Sequence, residues 1–440
     1  IISGLIGLRP RAGDTLEVNP LVKPETWDWF CLDNVLYHGR IVTILWDETG
    51  TKYNKGKGLR VFADGKEIAR STTISRVEGK MPPAGPDGMT YHRAKQRVPD
   101  RQIPEFWIGD VEDLPARFAE LTEGKVTIIA TSPARRPVHL IEYGQPEKLE
   151  RKANFNSAIG AREPSAYMDK ASRKKPVILF IGPVHGAEVE GLTGLINLVN
   201  IMETGRDLRG NDCAELLALG RQCRLLIIPD GNPDGIARFE PRSLCGMTLN
   251  DLKFWGQGTW SDHTFCGWPQ SKRQHPMVGD NVGFLGCYFN DTGINPMHDE
   301  FFAPMGPEAP AILNVARQHG PDLAVSLHSH ASNPALLRPA YVTAEIQEDV
   351  RTLAKRCYEL LADRGLPHGS PPTVKPEGGE NPSPFNLTSA IYHISGASSF
   401  TFECPHGLTE GCQVNFEQIL DIQLTLYEAM MRHEIDKKKS

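Results

Sequence analysis

From about residue 104 onward the sequence predicts an α/β fold, preceded over residues 1–75 by a small β-rich module. Three observations carry the α/β prediction. Val177-Ile178-Leu179-Phe180-Ile181 is an unbroken apolar run, the pattern of a strand covered on both faces. Directly after it, Leu192, Leu195, Ile196 and Val199 fall at the i, i+3, i+4, i+7 spacing of a helix with one buried side. The 41 glycines and 34 prolines point to long ordered loops rather than a helical bundle.

The elements follow in order. In the first 75 residues, 41–46 and 59–63 are short β-branched or aromatic runs, with turn residues at Asp47-Glu48-Thr49-Gly50 and a hairpin signal at Asp64-Gly65. Trp27 and Trp29 are expected to pack into the core of this module. Residues 76–103, with Met81-Pro82-Pro83-Ala84-Gly85-Pro86-Asp87-Gly88, read as a Pro/Gly linker or covering loop. Residues 126–130 and 138–142 are strand-like, as are 225–228, 323–327 and 399–402. Helices are expected at 309–319, 344–363 and 415–433. The loop-rich stretch 236–300 carries Trp255, Trp260 and Trp268, which are expected to pack it down.

Composition excludes several functions. A net charge of −6 over 440 residues offers no basic face for nucleic acid or an anionic membrane. No apolar run is long enough to span a bilayer. The chain does not begin with Met, so a processed chain or the tail of a longer one is expected. Nine cysteines, an odd number without framework spacing, fit reduced thiols and favour a cytoplasmic over a secreted chain, with the compartment left open.

The chemistry collects where strands end. His185 and Glu188 come just past the run 177–181, and a spacing of three puts both on one face of a turn, where they can grip one ion. His328 follows run 323–327, and Glu403 follows run 399–402. In open α/β sheets, ligands bind beyond the carboxyl ends of the strands. Two histidines and a carboxylate leave the fourth tetrahedral position of zinc free for water, the composition of a catalytic site. Zinc lowers the pKa of that water to about 7, and a carboxylate beside it can take the proton. His185, Glu188 and His328 are therefore the expected Zn2+ ligands and Glu403 the expected general base.

These motifs resemble those of the zinc carboxypeptidases. His185-Gly186-Ala187-Glu188 is similar to the family's first zinc motif, and Asn232-Pro233-Asp234-Gly235 to its Asn-Pro-Asp-Gly loop. Residues Asp322 to Ser329 resemble the segment of the third ligand, and Ser399-Phe400-Thr401-Phe402-Glu403 the segment ending in the catalytic glutamate. Thr131 to Val138 resembles the family's Gly-Arg-Pro strand turn. The resemblance runs over residues 104–435 and implies a mixed, mostly parallel eight-stranded sheet flanked by helices. It also implies hydrolysis of a C-terminal peptide bond, or a related amide, by metal-activated water. Residues 1–75 resemble a C-terminal β-domain of bacterial glycoside hydrolases, which leaves room for a glycosidase-like domain upstream.

Departures from the family bear on substrate. Where it has an Asn-Arg pair for the substrate carboxylate, this chain has Asn290 and Asp291, which inverts the charge. Arg238 and Arg242 are both placed to be the carbonyl-polarising arginine, and spacing does not choose between them. The family's mobile-loop tyrosine has no match in residues 375–381. Peptides and amide-bearing small molecules are thus the expected substrates, with preference for a free C-terminus in question. Two alternatives stand beside this reading: a zinc deacylase of the succinylglutamate desuccinylase and aspartoacylase type, and a non-catalytic carbohydrate-binding or scaffolding protein. His406 is expected to be a turn residue.

Overall fold

Strand Val177–Ile181 is buried at every position and has a parallel neighbour on each side, as its unbroken apolar run requires. In the computed structural model, which describes residues 2–439 except 10, 12, 24, 39, 82–88 and 377–382, this strand lies at the centre of a seven-stranded sheet. The order is Ala335–Leu337, Ser398–Pro405, Leu323–His330, Val177–Ile181, Arg224–Ile228, Pro137–Tyr143, Lys125–Thr131. The four inner strands from Ser398–Pro405 to Arg224–Ile228 are parallel; the outer three pair antiparallel. The fold is therefore the mixed α/β sheet expected, with seven strands rather than eight among the described residues. Its outer edge beyond Ser398–Pro405 is a three-residue strand, and no described strand pairs outside it.

The chain divides into two compact units. The second holds this sheet and comprises Pro99–Gly256, Gln274–Met277 and Gly286–Ser440. Its helices include Glu190–Thr204, Glu308–His319, Ala344–Asp363, Leu387–Ser395 and Phe416–Lys439. Helix Glu190–Thr204 crosses close to Phe416–Lys439 because Gly194 has no side chain: a Cβ there would meet the Tyr427 hydroxyl at 2.5 Å. Tyr427 in turn packs edge-on against Phe180 of the central strand, with ring centroids 5.2 Å apart. A core of Val138, Leu179, Ile181, Leu226, Ile228, Ile312, Ala324, Leu387 and Ile391 joins the sheet to the helices.

The first unit comprises Ile1–Val98 with Gln257–Arg273 and Val278–Leu285. Strands Trp29–Tyr37, Arg40–Asp47, Gly58–Ala63 and Lys66–Ser71 form an antiparallel meander, and Leu8–Arg9, Thr15–Val18 and Val77–Lys80 a second sheet. Asp64 and Gly65 form the predicted hairpin turn, both with positive φ. Two segments from the middle of the chain complete this unit. Phe284 stacks on Tyr91 at 5.9 Å, and His263 pairs with Asp64 at 3.1 Å. Trp27 and Trp29 do not enter the core: they are 42% and 50% exposed. They lead into and begin an edge strand, where Lys52 covers the Trp29 ring at 4.2 Å and Tyr53 abuts it edge-on. Trp268 is likewise exposed, with Lys272 over its ring, whereas Trp255 is fully buried as expected. Part of the predicted linker, 82–88, lies outside the described residues, as do 377–381 of the loop compared for a tyrosine.

No described helix is long and apolar enough to cross a membrane. All nine cysteines are free thiols.

Candidate metal centre

The turn that follows Val177–Ile181 is held tightly before it reaches its first chemical residue. Asn232, opening the Asn-Pro-Asp-Gly loop, accepts from Gly235 N (3.0 Å) and donates to Val184 O (3.1 Å). Gly186 lies so close to this loop that a Cβ would come within 2.0 Å of the Gly235 carbonyl carbon, which explains the glycine between His185 and Glu188. Gly186 N donates to Cys287 O at 2.7 Å, and the Tyr288 ring lies flat on His185 at 3.9 Å with an interplanar angle of 6°.

His328 and Glu403 are placed by backbone alone. Both strands run farther than their apolar runs predicted, to His330 and Pro405, so the two residues lie inside strands rather than after them. They are register partners, His328 opposite Glu403. Register partners on neighbouring parallel strands point to one face, which brings the two side chains to the same end of the sheet.

His185, Glu188 and His328 converge, all buried, with a donor atom of each inside 4.8 Å of the others. Glu188 Oε1 is 3.1 Å from His185 Nδ1, and Oε2 is 2.9 Å from His328 Nδ1. The two Nδ1 atoms are 3.2 Å apart. The other ring nitrogen of His328 lies 3.0 Å from Ser326 Oγ, a contact that holds the ring's orientation. Burial works to raise the Glu188 pKa, yet the two imidazoles hold its carboxyl well below the usual range. Burial also works to lower the His328 pKa, and Glu188 with Glu403 reverses it. Two nitrogens and a carboxylate that crowd into one small volume hold a proton when no cation does, and a divalent cation displaces it. This donor set fits zinc. Glu403 stands beside it, and burial pushes its carboxyl up to about 7, with His328 opposing.

A second cluster, Asp349, His433 and Glu434, has metal-like donors but already contains a cation. Lys437 Nζ lies 3.0 Å from Asp349 and 2.9 Å from Glu434. Among the described residues, Glu188 pairs only with histidines, and Glu403 is in no ion pair with a lysine or arginine.

The residues singled out for substrate are mostly occupied. Arg238 pairs with Asp291 and also donates to Gly286 O (3.1 Å) and Phe289 O (2.9 Å), clamping the segment that carries Tyr288. Arg242 pairs with Asp110 at 2.9 Å. Asn290 is fully buried; its oxygen accepts from Thr292 N and Ile294 N, and its amide donates to Glu308 at 3.0 Å. His406, expected in a turn, is instead buried in an ion pair with Glu190 at 3.0 Å. Sequence gave no signal for that pair, because its partners are 216 residues apart.

Comparison with known proteins gives the chain a family. Residues 111–333, just over half the chain, match the model of the zinc carboxypeptidase family. The chain belongs to the zinc carboxypeptidase family. His185, Glu188 and His328 fall within the matched residues; Glu403 lies beyond them. The family consists of zinc metallohydrolases, so the metal that fits the donor set is also the family's own. Residues 8–70 match the C-terminal domain of glycosyl hydrolase family 65, in line with the β-domain resemblance. Among solved structures, the metallo-carboxypeptidase of Burkholderia cenocepacia is 14% identical, covering 84% of this chain and 77% of that one, at a TM-score of 0.45. The metallo-carboxypeptidase of Pseudomonas aeruginosa in complex with (2-guanidinoethylmercapto)succinic acid is also 14% identical, covering 99% and 98%, at 0.42. A sialidase is 59% identical over 18% of this chain, which spans 7% of the sialidase, at 0.18.

Proposed function

We propose that the chain hydrolyses a peptide or related amide bond, with His185, Glu188 and His328 holding zinc and Glu403 acting as general base. The observation that supports this reading is the register of His328 against Glu403, with the half-buried Glu403 carboxylate outside the three-residue donor cluster. Bound there, zinc supplies a water of lowered pKa and a Lewis acid for the scissile carbonyl. Glu403 takes the proton and returns it to the leaving amine. Ser326 holds the His328 ring, and Tyr288 backs His185, so neither imidazole needs to reorient as charge develops.

The substrate reading follows from the occupied arginines. A terminal carboxylate that leaves water must be met by a cation, because an unpaired buried charge costs several kcal/mol. Arg238 and Arg242 each already hold a carboxylate, Asp291 and Asp110. Amidated or otherwise uncharged ends should therefore be accepted at least as well as free acids.

The deciding experiment is Glu403→Gln, assayed on a panel of peptides, their C-terminal amides and N-acyl amino acids. It should keep zinc and lose about a thousandfold in kcat. Activity close to the parent would mean that another group activates the water. Activity confined to N-acyl amino acids would move the chain to the deacylase reading.

A further inference from the structure

One buried ion pair lies among the elements of this centre and takes no part in the chemistry just described. Glu190 opens helix Glu190–Thr204, two residues past Glu188, and His406 follows the strand that carries Glu403. His406 Nδ1 and Glu190 Oε1 are 3.0 Å apart, and both side chains are completely buried. Their far atoms, Glu190 Oε2 and His406 Nε2, are also buried and have no hydrogen-bond partner among the described residues.

Such a pair is poor glue. Desolvating two ions cancels much of their attraction, and two unsatisfied atoms add a further cost. Its effect is geometric. The ladder between Leu323–His330 and Ser398–Pro405 fixes His328 against Glu403 by itself. The ladder between Val177–Ile181 and Leu323–His330 stops at Ile181, and Glu188 lies past it on the turn into the helix. His406 reaches all three elements: its backbone N donates to His330 O at 2.9 Å, its own segment continues from Glu403, and its ring holds the helix through Glu190.

We propose that the Glu190–His406 pair is a positioning strut that holds the helix-side ligand Glu188 in place against the strand-borne His328 and Glu403. This rests on the ligand and base roles proposed above. Neither residue touches substrate; each acts through the groups it fixes.

The test reads zinc affinity by chelator competition, using zinc alone, alongside kcat and KM on the parent's best peptide substrate. Glu190→Ala and His406→Ala should each weaken zinc about tenfold and lower kcat by a similar factor, with KM little changed. The double variant should be no worse than either single, since one contact is lost in every case. Glu190→Gln, whose amide oxygen still accepts from the ring, should retain most of both properties. If alanine at 190 does not fold by circular dichroism, Glu190→Met, of similar volume but unable to accept, should show the same losses. Parental zinc affinity and kcat in the alanine or methionine variants would overturn the strut, as would losses that multiply in the double variant. A parent chain that binds no zinc would instead sink the ligand reading, so the two failures are distinguishable.

Discussion

The two ends of the central sheet treat buried charge in opposite ways. At the amino end of the parallel strands the buried arginines are matched by carboxylates. Arg173 pairs with Asp322 at 3.1 Å and donates to His319 O and Gly320 O, closing the last turn of helix Glu308–His319. Arg224 pairs with Glu142 at 2.6 Å, and Lys170 donates to Pro321 O and Gly396 O. At the carboxyl end, Glu188 lies between His185 and His328, and among the described residues neither it nor Glu403 is paired with an arginine or lysine. Matched charge ties elements together; acidic charge gathered around imidazoles leaves room for a cation brought from outside. The cluster of Asp349, His433 and Glu434 confirms the rule from the other side, since Lys437 already fills it.

This contrast can be broken at either end. The largest effect is expected at the carboxyl end, where His328→Ala should abolish activity by removing the metal while leaving the thermal transition of the metal-free chain near the parent's; loss of the fold in that variant would make the cluster structural instead. At the amino end, Asp322→Ala leaves Arg173 buried and unpaired, and chemical denaturation should show a loss of about 3–5 kcal/mol with zinc stoichiometry untouched. A stability within error of the parent there would mean the pair is not the tie described. A substrate pair sharpens the account further: kcat/KM for a peptide free acid should not exceed that for its amide, and a strong preference for the acid would show that an uncommitted cation serves the pocket.

The smallest effect is a pH dependence at the amino end. Burial lowers the Lys170 pKa from 10.5 to about 8, with Asp322 opposing. Between those values the unfolded chain holds a proton that the folded chain has released, so this group makes stability rise with pH across the window. Lys170→Met should flatten that rise relative to the parent. Identical slopes in the two proteins would show that Lys170 stays charged when folded.

How much of this was legible in the sequence depended on the distance over which a contact acts. Apolar runs placed Val177–Ile181 and its parallel neighbours, and strand-end position with local spacing singled out His185, Glu188, His328 and Glu403. The runs stopped short of His328 and Glu403 only because a polar residue ends an apolar pattern without ending a strand. Contacts between remote segments were not legible. Asp291 read alone is a repulsive charge, yet Arg238, 53 residues earlier, pairs with it. His406 read alone is a turn residue, and only the fold brings Glu190 to it. Trp27 and Trp29 read as core because large aromatics usually are, but at the edge strand Trp29 lies against Lys52 and Tyr53, and Trp27 meets Phe30 edge-on.

The carboxyl end of the sheet is expected to hold one zinc through His185, Glu188 and His328, with Glu403 outside the ligand set. Metal content of the purified chain and two variants tests it most directly. About one zinc per chain is expected in the parent and in Glu403→Gln, and none in His328→Ala. Undiminished zinc in His328→Ala, or zinc lost with Glu403→Gln, would contradict it.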